Sequence, residues 1–139
     1  MKATYSTLMQ SKFFNPAFNS AIFDGPVRIY FAQFHESLAL KIYFALQQTF
    51  AAELAKAKET HQEMGRTVLV MLYPSEESFS MSFENEPDFL AIDDLFDDTI
   101  IGVNGPFEDD KLSAVLNKIV GAMKNWETLP RPMLTEATL

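Results

Sequence analysis

ESLALKIYFALQQTFAAELAKAKETHQEM, Glu36 to Met64, lies within the longest stretch of the chain without glycine or proline, and Gly65 closes it. Nearly every residue in it favours helix. At 100° per residue Leu38, Ala39, Ile42, Tyr43, Leu46, Phe50, Leu54, Ala57 and Met64 share one broad face, while Lys41, Glu59 and Glu63 lie opposite, the pattern of an amphipathic helix. Ser37 suits an N-cap, and Gly65 the left-handed residue that ends helices. The first half carries apolar residues on its flank as well (Leu40, Phe44), whereas Glu53 to Glu63 is mostly Ala, Lys, Glu and Gln and reads as solvated. One continuous helix of this length spans roughly 43 Å at about 1.5 Å per residue. A compact domain of this size is about 37 Å wide. A helix overhanging its own domain predicts a homodimer buried along residues 50–64, with Phe50, Leu54, His61 and Met64 at the interface.

On either side, strand patterns frame this helix. AIF, Asp24-Gly25 and PVRIYFAQ read as a hairpin in which Val27, Ile29 and Phe31 share one face and Arg28 and Tyr30 the other. TVLVMLY after Gly65 is apolar on both faces, as a central strand is. SFSMSFE alternates without a fault and predicts a half-buried antiparallel strand, with Phe79, Met81 and Phe83 inward and the serines outward. Pro87 to Phe96 reads as a short helix, TIIGVN as a fifth strand, and Lys111 to about Trp126 as a final helix with Leu112, Val115, Leu116, Ile119, Val120 and Met123 as its core stripe. Residues 4–13 read as a short helix.

These elements predict an α+β fold: a two-layer sandwich of a five-stranded, mostly antiparallel sheet with one long and one shorter helix on one face. Residues 1–128 form a single domain, and residues 129–139 a flexible tail. The element order resembles that of ferredoxin-like domains and, if residues 4–13 are helical, of roadblock-type domains. No motif decides between them.

Charge is unevenly distributed. The net charge is −8, yet between Thr67 and Asp110 there is no Lys or Arg, while twelve acids fall there; elsewhere eleven bases face seven acids. Nucleic acid, whose phosphates dominate affinity, is not the partner this balance suits. A basic protein surface or a cation is. The chain has no cysteine, which excludes thiolate chemistry and disulfides. No segment approaches about 20 apolar residues and the N-terminus lacks an apolar run of signal-peptide length, so no membrane partner and a cytoplasmic location are expected.

Chemistry-bearing motifs are sparse. Asp93-Asp94-Leu95-Phe96-Asp97-Asp98 matches the D-D-x-x-D pattern by which prenyl-diphosphate enzymes hold magnesium, since positions i, i+1 and i+4 of a helix gather carboxylates. The segment has no base for a diphosphate, so a solvated acidic surface is the better reading. His35-Glu36 lies where a strand meets the long helix, a place that faces ligand crevices in α/β proteins, with Tyr73 as a further candidate neighbour. Gly102-Val103-Asn104-Gly105 lacks the spacing and lysine of a phosphate loop. No nucleophile–base–orienter set assembles, and no metal or other cofactor is called for. A non-enzymatic, regulatory protein-interaction module is expected, docking a partner through Asp93, Asp94, Asp97 and Asp98 or through an open sheet face carrying Arg28 and Tyr30. The alternatives are a small-ligand or divalent-cation sensor and a small enzyme using His35 with a carboxylate.

Overall fold

Val68–Tyr73, strand β3, is buried at all six positions and forms the axis of the fold. The computed structural model describes residue 8 and residues 10–83, 89–95, 98–104 and 109–126. The other strands are β1 (Ser20–Asp24), β2 (Val27–Phe31), β4 (Leu90–Leu95) and β5 (Asp98–Asn104); the helices are α1 (Glu36–Thr49), α2 (Ala51–Met64), α3 (Glu76–Ser82) and α4 (Leu112–Asn125). The five strands form one sheet in the order β1-β2-β3-β5-β4. β2 and β5 both pair with β3 in parallel, and the outer strands β1 and β4 pair antiparallel to their neighbours. The sheet is therefore mixed, not mostly antiparallel.

Because β3 is apolar on both sides, the sheet needs a layer on each face. Val68, Val70 and Leu72 meet Ala39, Ile42 and Leu46 of α1, Leu54 and Ala57 of α2, and Val115, Ile119 and Met123 of α4. Leu69, Met71 and Tyr73 turn the other way, onto Leu8, Phe13, Phe18, Phe79 and Phe83. The expected two-layer sandwich is thus corrected to three layers. On the second face the chain is pinned by the buried Tyr73 hydroxyl, which donates to the Phe13 carbonyl at 2.6 Å, and by the Ser82 hydroxyl, which donates to the Lys12 carbonyl at 2.8 Å.

Three predicted elements differ. The long helix divides at Phe50, whose backbone (φ −125°, ψ 40°) leaves the helical region. Each half is about 21 Å long at 1.5 Å per residue, so neither overhangs the domain. Bending there keeps Leu54 and Ala57 in the core shared with α1 and α4, where both are buried. Gly65 ends α2 at φ 69°, as its type suggests.

SFSMSFE is helical, not extended. Ser75 caps it reciprocally with Ser78, the Ser78 N–H donating to Ser75 Oγ at 3.2 Å and the Ser75 N–H to Ser78 Oγ at 3.1 Å. Ser78, Phe79, Ser82 and Phe83 are buried, while Met81 is 74% exposed. Phe79 and Phe83 are four apart, a spacing that satisfies both an alternating strand and a helical face. Met81 distinguishes the two, and it points to solvent.

The predicted helix from Pro87 to Phe96 gives way to strand β4, in register from Leu90↔Val103 to Leu95↔Asp98. Residues 84–88 and 96–97 lie outside the described residues, as do the C-terminal tail and most of the expected N-terminal helix; residues 10–13 are turn and bend. With 76–82 helical and 90–95 extended, the element order is no longer the one that resembled ferredoxin-like or roadblock-type domains. None of the described helices is long and apolar enough to cross a membrane.

Candidate functional site: a groove beside an edge strand

β4 is the outermost strand beyond β5. The Asn104 N–H donates to the Phe89 carbonyl at 2.7 Å, which marks that pair as hydrogen-bonded. By antiparallel alternation Ala91, Asp93 and Leu95 then face β5, and the backbone groups of Leu90, Ile92 and Asp94 point to the outer edge. The Asp94 N–H is occupied by Asp93 Oδ1 at 2.8 Å. This leaves the Ile92 N–H and C=O as the central outward pair.

The α4 side of this edge is a groove of about 620 Å³, with Ile92 and Asp94 on the strand wall, Thr99 on the floor, and Asn117, Lys118, Gly121 and Asn125 among the residues of the helix wall. Asn117, Gly121 and Asn125 recur every four residues, so they form one row along α4. The helix's apolar stripe, from Val115 to Met123, is buried against the sheet, which sets this row at its margin. A Cβ on Gly121 would meet nothing within 4 Å. Neither packing nor backbone geometry therefore asks for glycine there, although glycine costs a helix interior about 1 kcal/mol relative to alanine. Ile92 is 52% exposed, an apolar side chain open to the groove. A smaller hollow of about 290 Å³ lies between α2 and α4, lined by Glu53, Lys56, Thr60 and Lys124 among others.

The acidic candidates separate in space. Asp93 and Asp94 are neighbours on a strand, so their side chains leave opposite faces. Asp93 reaches Lys12 Nζ at 3.5 Å across the second layer, and Asp94 lines the groove. Asp98, expected at the surface, is 2% exposed, and its carboxylate accepts the Thr67 N–H at 3.0 Å, tying the start of β5 to the start of β3. Asp97 lies outside the described residues. The helical gathering of carboxylates that a D-D-x-x-D cation site needs is absent, and among the described residues no three metal-ligating side chains converge.

The sheet face expected to be open is covered. Tyr30 is 3% exposed within the second core, because residues 8–18 and α3 pack over that face. Arg28 stays partly exposed at the margin, its guanidinium 4.9 Å from the Phe23 ring centroid. Of the interface candidates, Leu54 is buried in its own core and Phe50 packs against that core. His61 is half-buried, its Nδ1 2.9 Å from the Arg66 carbonyl. The Met64 side chain lies outside the described set.

His35 ends a short 3-10 turn after β2. Its ring lies 4.4 Å from that of Phe34, its Nδ1 is buried without a hydrogen-bond partner among the described residues, and desolvation holds its pKa below the ordinary imidazole value. Glu36 is exposed to solvent, and Tyr73, whose hydroxyl binds Phe13 and is pushed to high pKa by burial, belongs to the second core. The structure does not bring these residues together as a catalytic pair.

Comparison of the chain with protein-family models, curated proteins and solved structures finds no match. The groove residues Ile92, Asn117, Gly121 and Asn125 escaped the sequence reading. One signal was available: two asparagines and a glycine, all weak helix formers, repeat at four-residue spacing on one flank of α4.

Proposed function

We propose that this chain is a non-enzymatic protein-interaction module that docks a partner along the β4 edge. One observation carries this reading: a strand that is outermost among the described residues, with an exposed Ile92, stands beside a groove of about 620 Å³. Concave surface next to an unpaired strand edge is a recurring mode of protein recognition. The docking surface differs from the one expected, since Asp94 lines it while the Asp93 side chain turns to Lys12 on the other face and Tyr30 and Asp98 are buried. A homodimer along residues 50–64 loses its geometric motive, because Leu54 is spent on the protomer's own core.

A photo-crosslinking residue at position 94 in the source cell should yield protein adducts, and one at exposed Phe44 should not. Adducts from position 44 alone would overturn the assignment. A small-ligand role is the second reading, favoured by a groove volume within the range of about 300–1,000 Å³ typical of such sites. In that case position 94 gives no protein adduct, and native mass spectrometry shows a co-purifying small molecule that Gly121→Met displaces.

A further inference from the structure

If the β4 edge is the docking surface proposed above, the geometry points to the form of its partner: an extended peptide segment that adds to β4 as a sixth strand, with an apolar residue and a Lys or Arg two positions apart facing α4. Three features specify this occupant. The first is backbone polarity. Leu90, Ile92 and Asp94 direct their main-chain groups outward, and among the described residues the Asp94 N–H alone of these has a partner, Asp93 Oδ1. A strand laid alongside bonds through Ile92 N–H and C=O and the Asp94 C=O, the main-chain pairing that gives β-augmentation its affinity.

The second is side-chain register. Ile92 and Asp94 are successive residues on the α4 side of β4, about 7 Å apart along the strand. Peptide side chains two residues apart have the same spacing, so one packs on Ile92 while the next meets Asp94. Asp94 has no cationic partner among the described residues, since Lys12 bonds Asp93 instead. No Lys or Arg occurs between Thr67 and Asp110, and the chain carries −8 overall. The strand edge is therefore of negative sign and is complemented by a basic residue. Lys118 on the opposite wall is left to pair with an acidic residue elsewhere in the segment or with its C-terminal carboxylate.

The third is the helix wall. Glycine at 121 and asparagine at 117 weaken α4 locally, and among the described residues no packing contact asks for glycine at 121. Such local costs, placed beside a groove, mark a site kept open for a ligand. The absent side chain at 121 leaves width for a peptide side chain between α4 and β4.

The test is a random heptapeptide display library panned on the full-length chain and counter-selected on Gly121→Met, whose side chain fills the groove without breaking the helix. Enriched sequences should share an apolar–any–basic pattern. A synthetic peptide of that consensus should shift the Ile92 and Asp94 amide resonances. Methylating the backbone nitrogens of the peptide that face β4 should weaken binding about tenfold through lost hydrogen bonds. Asp94→Lys should weaken it similarly and reverse the preference between lysine and glutamate versions of the peptide. No enrichment over the counter-selection, or binding indifferent to N-methylation, overturns strand addition. Equal binding of the two charge versions to the wild type overturns the basic requirement. Protein adducts from position 94 without any enriched peptide would leave the docking role standing and refute its extended form, whereas loss of both removes the docking role as well. Concentration-dependent protection of the Ile92 amide in the chain alone would assign the edge to a second copy and refute the peptide.

Discussion

Two glycines of this chain should respond to the same substitution with opposite sign. Gly102 lies in β5 between Met71 of β3 and Ala91 of β4, and the Phe83 ring rests on it. A Cβ at 102 would stand 2.3 Å from Phe83 Cε2 and 2.9 Å from both Cδ2 and Cζ. Ordinary contact begins at 3.4 Å, so the ring must retreat by about 1.1 Å. It has little room to do so, with the rings of Phe79 and Phe13 at 5.4 Å and that of Tyr73 at 6.0 Å. Overpacking of this kind costs about 1–3 kcal/mol. Alanine recovers about 0.5–1 kcal/mol of backbone entropy relative to glycine. With the ring hemmed in, Gly102→Ala should lose about 2 kcal/mol net, or about 6 °C in Tm for a domain of this size. Gly121→Ala, with open space at the Cβ position, should gain about 0.5–1 kcal/mol. Urea unfolding of both variants measures the difference. Adding Phe83→Leu to Gly102→Ala should recover at least about 1 kcal/mol as a coupling term in a double-mutant cycle. A Gly102→Ala protein as stable as the wild type, or strict additivity with Phe83→Leu, would refute the contact as the reason for glycine at 102.

Asp98→Ala leaves the buried Thr67 N–H without its acceptor and should cost about 1–3 kcal/mol, whereas Asp94→Ala at the groove should stay within about 0.5 kcal/mol of wild type; chemical denaturation of the pair checks the contrast. Tyr73→Phe removes the donor to the buried Phe13 carbonyl and should cost about 1–2 kcal/mol, with amide exchange over residues 11–18 accelerating more than over α4. Burial lowers the His35 pKa in the folded state, so the folded protein binds fewer protons at this site than the unfolded chain. The associated stability is complete above about pH 6.5, the unfolded value, and is lost progressively as pH falls below it. NMR titration should place the His35 midpoint below that value, and a midpoint at or above it would contradict the burial argument.

What the sequence determined by itself was local. The apolar run 68–73 announced a central strand, the Asp24-Gly25 hairpin joins β1 to β2 with Gly25 at φ 57°, and the period-3.6 stripe of residues 112–125 announced α4. In each, one pattern outweighs its rivals within a short window. SFSMSFE could not be resolved in this way, because phenylalanines four apart satisfy both periods, and only the layer over the second sheet face decides that Ser78 and Ser82 are inside and Met81 outside. The break at Phe50 has no glycine or proline to signal it; the bend is favoured because Leu54 and Ala57 are worth more in the core than in solvent. Residues 90–95 carry no decisive period, and the open edge of β5 made them a strand. The groove has the same origin. Ile92, Asp94 and Gly121 are far apart or undistinguished in sequence, and they become neighbours only when β4 takes the sheet edge and α4 lies across its face.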